Sequence, residues 1–160
     1  MGIKKKESSS VQQYTEDGRG LLVREHYSEE LRHFLVAVYG TLKRGYSNHA
    51  LLHGADFIAE AYTEDKYPLV VHGSGLPFLV DKPGIGKRVM VEVYLVDKDT
   101  LNALDMLEGH PDWYERKQKN VLCTGLNRDG FNYHNAILSP WIYMAPEHYY
   151  TEEEVLYEAY

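Results

Sequence analysis

At 160 residues, 44% apolar and 26% charged, the chain has the make-up of one globular domain long enough to bury a core. A net charge of -7 argues against general nucleic-acid binding, which rests on cationic contacts to phosphate. No apolar run reaches the roughly 18 residues of a membrane span, and the lone cysteine, Cys123, suits a reducing, cytoplasmic setting.

Residues 1–30 read as a flexible N-terminal extension. Lys4-Lys5-Lys6 and Ser8-Ser9-Ser10 favour solvent, and Gly18-Arg19-Gly20 blocks a long helix. Leu21-Leu22-Val23 has edge-strand character. The apolar block of a signal peptide is not seen, and Lys6 stands where a myristoylation signal wants Ser or Thr.

The domain proper is expected over residues 31–146. Its first strand, residues 33–39, runs into Tyr39-Gly40-Thr41-Leu42-Lys43-Arg44-Gly45. A glycine there takes backbone angles that a Cβ resists, so successive N–H groups can converge on an anion such as a carboxylate. The bland alternative is a plain turn. Gly40 and Gly45 have P-loop spacing, but Tyr46 occupies the lysine position. Gly84-Ile85-Gly86-Lys87 fails as well, with Asp81 at the first glycine position and Arg88 at the hydroxyl position.

Ser47 or Asn48 is placed to cap a short helix running to residue 52 and stopped by Gly54. His49 and His53 have metal-ligand spacing there. Without a zinc-protease glutamate or a third ligand they read as surface residues, and no metal or cofactor is expected.

Short strands are expected at residues 57–62, 67–71, 76–80 and 88–96. In the last, Val89, Val91, Val93 and Leu95 alternate, which buries one face. Residues 114–122 and 136–143 each read as one further strand, with a polar loop over 124–134 between them. Many short strands and few helices point to a small, closed or nearly closed sheet. Residues 147–160 form an acidic, Tyr-rich tail, open to a helical turn or two or to loose chain.

A helix over residues 100–107, capped by Asp97 or Asp99 and stopped by Gly109, brings an acid. Leu101, Leu104 and Glu108 are three and four apart and share its inward face. Desolvation and the negative helix end both favour a protonated Glu108, which makes it a candidate general base or acid. Asp105 lies near the same face and is expected to titrate with it as a pair. The competing outcome is a helix that frays at Gly109 and turns Glu108 to water.

Taken together, these blocks resemble the γ-glutamyl cyclotransferase-like family, nearest its γ-glutamylamine cyclotransferase and plant avirulence-induced-gene branches. The likeness rests on the Tyr39 to Gly45 stretch with Asn48, and on Leu104-Asp105-Met106-Leu107-Glu108 followed by Pro111, Tyr114 and Arg116. Further matching blocks are Tyr67-Pro68-Leu69-Val70, Pro77-Phe78-Leu79, Pro83-Gly84-Ile85-Gly86 and Trp141-Ile142-Tyr143. It covers about residues 33–146, departing at the extension, the tail and the Glu108-Gly109-His110 junction.

The resemblance implies an α+β fold: a small mixed β-barrel with flanking short helices and a site at its mouth. It implies Glu108 as the catalytic residue and Tyr39, Gly40, Thr41 and Leu42 as substrate-binding, with Tyr114 and Tyr143 candidates for the pocket wall. The implied reaction is metal-free. The α-amine of a small γ-glutamyl substrate attacks its own γ-carbonyl, releasing 5-oxoproline and an amine. Charge on the carbonyl oxygen falls to loop amides or to a tyrosine hydroxyl. A monomer is expected, with no nucleic-acid or membrane partner. Two other readings stand beside it: a non-catalytic module that binds a small carboxylate or a protein terminus, and an interaction protein working through its ends.

Overall fold

The computed structural model describes residues 32–125, 132–152 and 155–160. The expected extension, its edge-strand stretch at residues 21–23 and the middle of the polar loop lie outside the described residues. The described strands are β1 (His33–Val38), β2 (Asp56–Thr63), β3 (Leu69–Val71), β4 (Pro77–Leu79), β5 (Met90–Asp97), β6 (Glu115–Gln118), β7 (Val121–Cys123), β8 (Ile137–Leu138) and β9 (Trp141–Met144). One α-helix among the described residues, α1 (Lys98–Glu108), joins β5 to β6.

Seven strands form one mixed sheet in the order β6-β9-β1-β5-β2-β7-β8, while β3 and β4 pair as a separate hairpin. All pairs in the large sheet are antiparallel except β1 with β9. β6 and β7 stand towards opposite edges of that order, yet only Lys119 and Asn120 separate them in the chain. Two residues reach about 7 Å, and neighbouring strands lie about 4.8 Å apart. The sheet therefore curls until its edges meet, in keeping with the expected nearly closed sheet.

The same corner corrects two expectations. Residues 114–122 and 136–143 are not single strands; each bends and continues as a second strand. Pro140, which has no N–H for a ladder, sits at one bend, and its carbonyl accepts from Lys119 N at 3.2 Å at the other. The Ser139 hydroxyl donates to Asn120 Oδ1 and ties the two bends together.

β5 is buried on both faces, not on one. Val91 and Val93 pack inside the curl with Ala37, Ala59 and Ala61. Tyr94 and Val96 lie under α1, against Leu101 and Leu104. Burying each of those leucines stabilises the helix on the sheet by about 2 kcal/mol. The helix begins where Asp97 accepts from Thr100 N at 2.8 Å. It ends at Gly109 (φ 64°), where His110 N bonds back to the Asp105 carbonyl at 2.9 Å. No fraying is seen: the closure holds the last turn, and Glu108 with it, in place.

The short helix after the Gly40 turn is one 3-10 turn, His49–Leu52, and Asn48 makes no capping bond to it. In the tail, Glu147–Tyr149 form another such turn, and the Tyr149 ring stacks 5.2 Å from that of Phe78. Further on, Tyr157 N donates to Leu69 O at 3.1 Å and Glu158 O accepts from Met90 N at 2.9 Å, so this part of the tail is docked. Among the described residues, no helix is long and apolar enough to cross a membrane.

Candidate active site

One cavity of about 150 Å³ gathers Tyr39, Gly40, Thr41, Leu42, Glu108, Tyr114 and Tyr143. These residues come from distant parts of the chain: the turn after β1, the end of α1, the approach to β6, and β9. Asn48, Leu76, Pro77, Leu107 and Trp113 also line it.

The Gly40 turn forms one wall. Lys43 N bonds Gly40 O at 3.0 Å and Asn48 N bonds Thr41 O at 2.9 Å, so the carbonyls are drawn into the turn. Among the described residues, no acceptor takes the N–H groups of Gly40, Thr41 or Leu42. Gly40 is needed for a different reason than its backbone angle. Its φ is not positive, but a Cβ there would stand 2.7 Å from Pro77 Cγ. Beneath the turn, Glu92 is 7% exposed and accepts from Arg44 N at 2.9 Å and from the Tyr94 hydroxyl at 3.0 Å. His49 Nδ1 lies 2.9 Å from the Leu42 carbonyl, where its N–H braces the turn. Among the described residues, no three His, Cys, Asp or Glu side chains gather to hold a metal ion.

Glu108 stands on the opposite wall. Burial pushes its carboxyl up to about 7. The expected titrating pair with Asp105 is not formed. Asp105 accepts from Arg116 Nε at 2.9 Å and from the Tyr143 hydroxyl at 2.6 Å. Burial works against its charge, but these donors and the guanidinium hold it below its ordinary value. One helical turn thus separates Asp105, which has its donors, from Glu108, whose carboxyl meets none among the described residues. His110 serves from behind: its Nδ1 accepts from Arg116 N at 3.1 Å.

The tyrosine protons settle the polarity of this wall. Tyr143 donates to the Asp105 carboxylate, Tyr114 to the Pro77 carbonyl at 2.9 Å, and Tyr39 to the Tyr143 carbonyl at 2.7 Å. None of these acceptors has a proton to give, so each hydroxyl has spent its own; the Tyr39 oxygen also accepts from Leu79 N at 3.4 Å, while those of Tyr114 and Tyr143 offer lone pairs. A tyrosine hydroxyl is therefore a poor stabiliser of a carbonyl oxygen here, contrary to one of the two expectations. On the turn side the donors are the turn amides and the Thr41 hydroxyl, which accepts from Asn48 Nδ2 at 2.9 Å and keeps its own proton. Donors on one side and acceptors on the other match an α-amino acid, with its carboxylate and amine.

The family model for γ-glutamyl cyclotransferase, AIG2-like proteins matches residues 36–159. The chain belongs to this family. The match runs through the acidic tail, beyond the residue-146 limit of the resemblance. A γ-glutamylaminecyclotransferase of Bos taurus is 42% identical over 118 residues, covering 68% of this chain and 70% of that protein. γ-Glutamylaminecyclotransferase B of Danio rerio is 49% identical over 88 residues, covering 51% of this chain and 46% of that protein. A crystal structure of a mouse AIG2-like protein superposes with a TM-score of 0.69 at 30% identity, covering 81% of this chain and 88% of that one. These relatives make the chain a cyclotransferase and its fold that of the AIG2-like proteins.

Sequence reasoning missed Pro77 as the surface that demands Gly40, Glu92 as the anchor of the turn, and the Arg116–Asp105–Tyr143 bonds. Pro77, Asp105, Arg116 and Tyr143 did carry a signal, as parts of the family pattern, but none showed what it would touch, and Glu92 carried none.

Proposed function

We propose that the chain converts a γ-glutamylamine into 5-oxoproline and the free amine. The observation that carries this reading is a desolvated Glu108 carboxyl sharing one cavity with the N–H groups of Gly40, Thr41 and Leu42, which no acceptor among the described residues takes. The substrate α-carboxylate sits on some of these amides, and the Tyr143 and Tyr114 oxygens accept from the α-amine.

Glu108 takes a proton from that amine. The nitrogen attacks the γ-carbonyl, the new C–N bond closes a five-membered ring, and the oxygen charge falls on a turn N–H or the Thr41 hydroxyl. The old amide C–N bond then breaks as Glu108 returns the proton to the leaving nitrogen, and the second proton of the ring nitrogen passes through Glu108 to the freed amine, which leaves as ammonium. A free α-amine has a pKa of about 8, so a carboxyl near 7 lies within about one unit of it and can both accept and return the proton. Ring closure is intramolecular, and a well-held chain gains an effective molarity of about 10⁵ M or more. Leu76, Leu107 and Trp113 line the cavity yet stay 48%, 43% and 70% exposed, which suits a leaving amine at the solvent end. The relatives named γ-glutamylaminecyclotransferases support an amine over an amino acid. The reaction is proposed to be metal-free and to be carried by a monomer in the cytoplasm.

The test is 5-oxoproline release from a panel comprising a γ-glutamyl-ε-lysine isopeptide, a γ-glutamyl amino acid and glutathione. The isopeptide should turn over fastest, and Glu108→Gln should abolish release while leaving the circular dichroism unchanged. Full turnover by that variant defeats the assignment. Saturable binding to the unaltered chain with no product would make it a non-catalytic carboxylate-binding module.

A further inference from the structure

Tyr160 touches both lips of the cavity mouth. Its main-chain oxygen accepts from Lys43 Nζ at 2.8 Å and from the Tyr46 hydroxyl at 3.1 Å. Both donors flank the Gly40 turn. Its own hydroxyl donates to the Gly75 carbonyl at 2.8 Å, beside the cavity-lining Leu76 and Pro77 of the other lip. The Tyr160 and Tyr46 rings lie 5.4 Å apart. Upstream, the main-chain bonds of Tyr157 to Leu69 and of Glu158 to Met90 lay the strap along the hairpin and β5. The partners are not casual. Lys43 is only 4% exposed, so its ammonium depends on the acceptors it finds inside the protein. There is also little slack between the lips, because Gly40 already abuts Pro77.

We infer that Tyr160 is a positioning residue that ties the Gly40–Lys43 turn to the Gly75–Pro77 lip and so fixes where the turn's N–H donors stand. This rests on reading the cavity as the γ-glutamyl site. Tyr160 reaches no reacting atom; it acts through the turn. Losing it loosens the binding wall and leaves the Glu108 wall as it was, so its loss shows in KM more than in kcat, which falls only as far as the turn donor facing the carbonyl oxygen is displaced.

Three full-length substitutions and one truncation test this: Tyr160→Phe, Tyr160→Ala, Lys43→Met, and a chain cut after Leu156. Tyr160→Phe removes one hydrogen bond and should raise KM for the γ-glutamyl-ε-lysine isopeptide about fivefold, with kcat changed less than about twofold. Tyr160→Ala and the truncation should raise it about tenfold or more, and Lys43→Met should resemble Tyr160→Phe. Amide hydrogen exchange supplies a readout that needs no turnover. Exchange at the bonded amides of Lys43 and Asn48 on one lip, and of His72 and Gly75 on the other, should quicken about fivefold or more in the alanine variant, while β5 keeps its protection. Unchanged exchange at both lips in the truncated chain overturns the inference, whatever the activity. Uniform acceleration through β5 overturns it too, because Tyr160 would then be a general stabilising contact. Quickened lips in a chain that releases no 5-oxoproline would uphold the strap and defeat only the proposed reaction.

Discussion

The two walls of the cavity are built from different materials. The turn after β1 presents main-chain N–H groups, which any residue but proline can supply. The wall made by α1 and β9 presents side chains, the Glu108 carboxyl and the Tyr143 hydroxyl, for which no neighbour can substitute. The first wall is therefore sensitive to position and tolerant of identity at Thr41, though not at Leu42, whose side chain is buried in the core. The second is sensitive to identity. Changes to the turn should act mostly on KM, reaching kcat only through the donor that faces the carbonyl oxygen, and changes to the acid wall on kcat; that asymmetry can be broken or sharpened by substitution.

The largest effect is expected at Glu108. Glu108→Gln keeps the shape and removes the base, so kcat should fall by about 10²–10⁴-fold in a 5-oxoproline assay. Next comes Gly40→Ala. Its Cβ would stand 2.7 Å from Pro77 Cγ, so the lips must part. KM should rise by about tenfold or more, and thermal unfolding should show a loss of about 1–3 kcal/mol. A predominantly kcat effect at Gly40 would break the comparison between the walls. Asp105→Asn removes the charge that answers Arg116 and holds the Tyr143 hydroxyl. Stability should drop by about 1–3 kcal/mol, and kcat by roughly tenfold as Tyr143 loses its fixed proton direction. Tyr143→Phe should share the kcat loss. Thr41→Val should matter least, changing KM by about twofold to fivefold, since it deletes one of several donors.

The acid wall also leaves a mark on stability. Glu108 holds its proton more tightly when folded than when unfolded, because burial lifts it from 4.5 to about 7. Its favourable share is fully present below about pH 4.5 and is lost as pH rises through about 7. Glu108→Gln carries no such penalty. In denaturant titrations the variant should match the parent near the lower value and exceed it well above the upper one, by at most about 3 kcal/mol. The group that makes the site reactive is thus one that weakens the fold.

Much of the architecture was legible because it follows from local rules. The alternation along β5, the Asp97 cap and the Gly109 stop set strand, helix and helix end by nearest neighbours alone. The inward placement of Glu108 followed from its spacing with Leu101 and Leu104. What stayed hidden depends on contacts across the fold. Nothing near Gly40 says that Pro77 will press on it, and nothing near Asp105 says that Arg116 will reach it before Glu108 does. The bend at Asn120 was missed because the curl of the sheet sets it and no glycine or proline marks it, whereas Pro140 does mark the second bend. The acidic, Tyr-rich tail was open to a helical turn or two or to loose chain, and its docking at Tyr157 and Glu158 stayed hidden because main-chain bonds leave no trace in side-chain pattern.

The most direct test of the two-walled site is a structure of the protein with 5-oxoproline bound. The account predicts the product carboxylate on N–H groups of residues 40–42 and the ring nitrogen within hydrogen-bond reach of the Glu108 carboxyl. A product bound the other way round, or held in the cavity with its ring nitrogen turned from Glu108, would contradict it.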